Sequence, residues 1–161
     1  MNWKALQDEM RRTNIPCAAY GITGIVYSAF YCLATVTREE FSRMHGRHSD
    51  PGGAVGLAAV ELLEFCNTSE LDAEVGRGVW PDGKNYDKNR DQLLLAVQAL
   101  GNLSGDVAWG RQPSEMAVGQ ILYYLDAWCV QRDLKLIELA VEAQNVLQAA
   151  KEVTRLSAWQ R

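Results

Sequence analysis

The 161-residue chain has only two histidines, four cysteines and four prolines, and these scarcities exclude whole classes of protein. Neither His45 nor His48 stands near a cysteine or serine in an apolar frame, so no recognisable arrangement for nucleophilic catalysis is present. The cysteines, Cys17, Cys32, Cys66 and Cys129, lie far apart in apolar runs and form no CxxC. Ligand spacing is therefore missing, and reduced, buried thiols in a cytoplasmic protein are expected. Positive charge is short too: 16 Lys and Arg face 20 Asp and Glu, a net charge of −4. Nucleic acid and anionic membranes are accordingly not expected partners. The N-terminus, MNWKALQDEMRR, is charged and amphipathic and does not read as a signal peptide.

Long apolar runs are nearly absent as well. Residues 15–37 carry no charge and match a membrane span in length. Three tyrosines, two glycines and several hydroxyl residues dilute that stretch well below a Leu/Ile/Val-rich span. It reads instead as a buried central helix, with Gly21 and Gly24 allowing a neighbouring helix to approach closely.

What is present is helical periodicity. Asn2 is placed to cap a helix reaching about Arg12, with Trp3, Leu6 and Met10 on its apolar edge. A short helical turn is expected at 37–44, capped by Thr37, followed by a loop whose His45, His48 and Asp50 read as solvated rather than metal-binding. A helix follows at 54–67, then a short one from Ser69 to near Gly76. Residues 76–91 read as a polar connection with a turn at Pro81-Asp82-Gly83. Asp87, Asn89 and Asp91 imitate the opening of a calcium loop, but Gln92 and Gln98 stand where glycine and glutamate are required. These acids read as caps for a helix beginning near Arg90.

The next two helices, about 90–110 and 114–131, are joined by a break short enough to force an antiparallel hairpin. Leu93, Val97, Leu100, Ser104 and Val107 form a stripe on the first. Val118, Ile121, Leu122, Leu125, Trp128 and Cys129 form one on the second. A long last helix is expected after Asp133 as its N-cap, ending near Leu156. The expected fold is an all-α helical bundle in a single domain, 1–161. An internal echo pairs Ala54-Val55-Gly56 with Ala117-Val118-Gly119, Phe65-Cys66 with Trp128-Cys129, and Glu70-Leu71 with Asp133-Leu134, all at one offset. It suggests two pseudo-repeated units, about 15–75 and 90–152.

The hairpin resembles the MazG-type all-α nucleoside triphosphate pyrophosphohydrolases. Asn2, Gln7, Arg12 and Thr13 echo that family's first helix, LAVQALGNLSGDV and AVGQILYYL echo its two motif helices, and Asn145 falls at its C-terminal asparagine. The resemblance covers the first helix and roughly the C-terminal half; residues 14–90 are longer than the family's usual connection. It implies a homodimer and, in active members, Mg2+ held by motif acids that clamps a triphosphate. Here those positions are Gln98, Ala99, Asn102, Ala117 and Gln120, and none is a carboxylate. Amide oxygens offer dipoles without charge, so no Mg2+ or other cofactor is expected at that face.

Three functions follow as expectations. In the first, metal-dependent hydrolysis is lost and Gln98, Asn102 and Gln120 face one another in a neutral polar pocket, with Tyr124 and Trp109 able to stack on a nucleotide-like ligand. The same surface could instead meet a protein partner. In the second, an active enzyme has moved its Mg2+ site to Glu39, Glu40, Glu61 and Glu64, although Glu61 and Glu64 also read as the solvated side of a half-buried helix. Asp106 is the nearest acid to the original face. In the third, the apolar surplus forms an oligomer interface with no small-molecule site.

Overall fold

The computed structural model describes residues 1–13, 21–46 and 50–158, with residues 153–158 described by backbone alone. Seven helices and no strand occur among them. In order they are α1 (Trp3–Thr13), α2 (Gly21–Met44), α3 (Pro51–Thr68), α4 (Ala73–Gly78), α5 (Gln92–Ala108), α6 (Glu115–Val130) and α7 (Leu136–Ala158), with a 3-10 turn at Gly83–Asn85 before α5. The all-α bundle expected from periodicity is what forms.

Helix starts follow the side-chain oxygens available to their free N–H groups. Asn2 Oδ1 accepts from the Ala5 N–H at 2.9 Å, Asp50 from Gly53, Asp72 from Glu74 and Val75, Asp91 from Leu94, and Ser114 from Ala117. The core stripe expected on α6 is wholly buried: Val118, Ile121, Leu122, Leu125, Trp128 and Cys129 are all 2 % exposed or less. Burying side chains of this size contributes roughly 1.5–3 kcal/mol each, and α6 shares the centre of the bundle with α3, whose Val55, Leu62, Leu63 and Phe65 are also buried.

Elsewhere the expectations need correction. Residues 37–44 are not a separate helix: α2 runs through them, and the Thr37 hydroxyl donates back to the Leu33 carbonyl at 3.3 Å. A mid-helix threonine can satisfy itself in this way, so its polarity marks no boundary. Nor is α2 buried all round. Ile25, Val26, Ala29, Cys32, Leu33 and Val36 face the core, whereas Tyr27 and Tyr31 are 71 % and 70 % exposed. Gly21 starts the helix at φ +65° with nothing within 4 Å, so it is a turn residue and not a contact point.

On α5 the buried side is Leu93, Ala96, Ala99, Leu100 and Leu103; Val97, Ser104 and Val107 are only half-buried. Asp133 does not cap α7. It sits at φ +56°, where the Leu134 N–H donates to Cys129 O at 3.0 Å and closes the end of α6. Likewise Ser69 does not start a helix: its N–H donates to Phe65 O as α3 ends, Glu70 sits at φ +57°, and the Leu71 N–H donates to Cys66 O at 2.8 Å.

These two corners, 63 residues apart (70 to 133), belong to a larger correspondence. The α2–α3 pair packs as α5–α6 does, while α7 lies on α3 and α4 lies on α6. A Cβ on Gly56 would collide with the Leu139 carbonyl, and one on Gly119 with the Gly76 carbonyl. Both contacts are related by the same shift (56 to 119, 76 to 139), with the helices exchanged. Glycine at these two positions is what lets the backbones meet.

α1 seals the first corner. Gln7 is 0 % exposed. Its Nε2 donates to Leu71 O at 2.7 Å, and its Oε1 accepts the Ala73 N–H at 3.0 Å. Beside it, Lys4 Nζ lies 2.8 Å from Asp72, holding that carboxyl below its usual range.

Candidate functional site

The residues expected to form a neutral pocket are spread over the hairpin. Gln98 and Asn102 lie on the exposed side of α5, and Gln120 is half-buried on α6. Trp109 is 81 % exposed at the hairpin tip. Tyr124 packs in a cluster with Tyr123 and Trp80, at ring-centroid distances of 5.3 and 6.5 Å. No hydrogen bond among the described residues joins Gln98, Asn102 and Gln120.

The carboxylates proposed as a moved metal site are engaged separately. Glu39 pairs with Arg38 at 3.0 Å, and Glu40 pairs with Arg132, whose guanidinium also covers the Trp128 ring. Glu61 faces α2 and accepts from Ser28 at 2.7 Å. Ser28 and Glu40 are twelve residues apart on α2, about 18 Å of helix, which keeps the two acid groups apart. No group of three or more His, Cys, Asp or Glu side chains placed to hold a metal occurs among the described residues.

Glu61 is not on a solvated face, as the sequence suggested. It is 7 % exposed, its Oε2 has no partner, and burial pushes its carboxyl up to about 7, against the lowering effect of the Ser28 hydrogen bond. Glu64, one turn on, is half-buried and also raised by burial. Asp106 pairs with Arg111 at 3.5 Å. His45 sits on Phe41, its ring nitrogen 2.8 Å from the Phe41 carbonyl, whereas His48 lies outside the described residues. Cys32, Cys66 and Cys129 are buried and free; Cys17 lies outside the described residues.

The concave site lies elsewhere, where α6 turns into α7. Arg77 organises its approach. Its guanidinium bonds Asp126 at 2.7 Å and the carbonyls of Trp80 and Pro81 at 3.1 and 2.9 Å, while resting over the Tyr123 ring. Trp80 stacks on Tyr123 at 5.7 Å and donates its Nε1–H to Met116 O at 3.1 Å. The loop after α4 is thereby held against α6, which brings Asp82 and Lys84 to the mouth of a cleft of about 450 Å3.

Val130, Leu134, Leu136 and Ile137 supply its aliphatic lining, and Trp3 of α1 its aromatic side chain. Asp126, Asp133 and Lys135 complete the polar lining, with the Asp126 charge matched by Arg77. A flat, partly polar ligand suits such a cleft: the ring can stack and the edge can find charged or amide groups. Sequence reading missed these residues because they come from α1, the 3-10 turn and the loop before it, α6, α7 and the turn between those two helices, with no spacing in common.

A second hollow of about 570 Å3 runs along the outer side of α7 past Lys135, Glu138, Val141 and Asn145, the last being the asparagine of the resemblance. No helix among the described residues is long and apolar enough to cross a membrane. No protein-family model, curated protein or solved structure matches the chain.

Proposed function

We propose that this chain is a MazG-like helical protein that binds a small, nucleotide-like ligand and has given up Mg2+-dependent pyrophosphohydrolysis. The observation that carries the binding half is the Trp3-lined cleft at the α6–α7 turn. The nucleotide half and the lost chemistry rest on the resemblance. The positions where it places carboxylates hold Gln98, Ala99, Asn102, Ala117 and Gln120, and of the other candidates Glu39, Glu40 and Glu61 are engaged by Arg38, Arg132 and Ser28 in turn. Mg2+ must be offered several anionic oxygens together to offset its dehydration.

The test is to incubate the purified protein with NTPs and dNTPs plus Mg2+ while following pyrophosphate release and thermal stability. Expected are no turnover and a stabilisation by at least one nucleotide that is lost in Trp3→Ala. Turnover that survives Gln98→Ala and stops in Glu61→Gln would establish the alternative enzyme. A second reading, self-association of this chain, is favoured by one feature: Tyr27, Tyr31, Phe41 and Met44 are exposed on α2. In sedimentation it predicts a dimer that Tyr31→Glu converts to the 17.9-kDa monomer.

A further inference from the structure

The helices that the 63-residue correspondence exchanges, α2 with α5 and α3 with α6, are also packed on each other. An approximate two-fold axis therefore passes between α2 and α5. α7 and α4 cover the α3 and α6 side of the molecule. No described helix covers the other side, where α2 and α5 present their outer faces next to each other.

Those faces lack what a water-facing helix normally carries. Charged residues make up 22 % of the chain, yet none occurs in residues 21–37 of α2 or 92–105 of α5. Burial does not account for the gap. The correspondence pairs Tyr31 with Leu94 (31 to 94), and these are 70 % and 66 % exposed. Tyr27 lies exposed one turn before Tyr31, and Phe41 ends the same stripe. Taking ~200 Å2 for each large side chain, the four leave ~500 Å2 of apolar surface in water. Ala34, Gln98 and Asn102 are exposed beside them, which brings the patch close to the ~800 Å2 per partner that a standard interface buries. Depletion of charge with enrichment of tyrosine marks the core of such interfaces.

The axis says what fits. Two adjacent, equivalent helices form a face that a second copy can meet with the same face, giving four quasi-equivalent helices in one layer. Each chain carries a net charge of −4, and this is a face through which two chains meet without opposing their acids.

We infer that the α2/α5 face is the two-fold interface of a homodimer, in which α2 and α5 of one copy pack against α2 and α5 of a second. This deepens the self-association reading above, which stood on α2 alone, and rests on it.

Sedimentation of the full-length protein across the micromolar range tests it. Expected is a dimer whose dissociation constant rises about thirtyfold or more in Leu94→Glu, as in Tyr31→Glu, the cost of disturbing a central interface residue. Val75→Glu, at an exposed apolar position on α4, should leave that constant within about threefold. All three positions are exposed, so the variants keep the fold, as circular dichroism will check. A dimer that Tyr31→Glu dissociates and Leu94→Glu does not would overturn the paired-helix interface and leave self-association through α2 standing. A dimer indifferent to both substitutions would overturn the assignment of the face. A monomer at every concentration would overturn self-association as well, and leave the face to a different protein.

Discussion

Ser28 donates its hydroxyl hydrogen to Glu61 Oε1 at 2.7 Å across the α2–α3 seam, leaving Oε2 buried without a partner. One neutral donor cannot compensate a carboxylate for the water it has lost, so the folded protein favours the protonated acid. The carboxyl is pushed from 4.5 up to about 7.

The sign of the resulting pH dependence is fixed. Between about 4.5 and 7 the folded state holds a proton that the unfolded state has released. The stabilisation is fully present at the acid end and disappears as pH rises through 7. Thermal unfolding of the wild type should weaken from pH 5 to pH 8. Glu61→Gln should flatten that slope and gain about 1–3 kcal/mol at pH 8, since each tenfold change in proton affinity on folding corresponds to ~1.4 kcal/mol. Part of the slope should persist through Glu64, which burial raises in the same direction. An equal slope in wild type and variant would show that Glu61 is ionised in the fold.

Gly119→Ala drives a methyl group into the Gly76 backbone, and Gly56→Ala drives one into Leu139. Neither obstacle is a flexible side-chain tip, so each substitution should cost about 3 kcal/mol or more in denaturant unfolding. Gly101→Ala and Gly105→Ala meet nothing within 4 Å inside α5. They should stabilise by about 0.5–1 kcal/mol through helix propensity. Similar effects at all four positions would refute the close backbone crossings.

Gln7→Ala removes the two bonds that the Gln7 carboxamide makes to the α3–α4 corner and leaves a buried carbonyl and a buried N–H unpaired. A loss of about 2–4 kcal/mol is expected, with amide exchange accelerated first at Ala73. Gln7→Glu should also destabilise, because an ionised carboxylate cannot donate to Leu71 O. Unchanged exchange at Ala73 would count against the bridge.

Burial pushes the thiols of Cys32, Cys66 and Cys129 up to about 12. At pH 8 they should resist alkylation in the native protein and react fully in denaturant, as read by peptide mass mapping. Rapid labelling of any of the three without unfolding would show that its helix opens.

The legible parts of the fold are those in which one helix carries its own information. The α6 stripe could be read because six large apolar side chains repeat at helical spacing within one segment, and all six are buried. The α5 stripe was displaced because Ala96 and Ala99 signal burial only once a neighbour's bulk is known. Asp133 looked like a cap because its chemistry suits one; the hydrogen bond from Leu134 to Cys129 that places it at a helix end is a property of the turn. Gln7 stood out only as part of a resemblance, and nothing local tells that its amide is buried against Leu71, 64 residues away. The cleft was the least legible feature, since four separate elements line it and none of its spacing is periodic.

The exchange of terminal helices between the two halves bears on how the chain is made. α3 is covered by α7, and α4 is received by α6. A ribosome that has released only the first hairpin has therefore exposed an apolar α3 face whose cover is still to be translated. The core closes when residues near Leu139 emerge, so the nascent chain is open to aggregation or chaperone capture until they are translated.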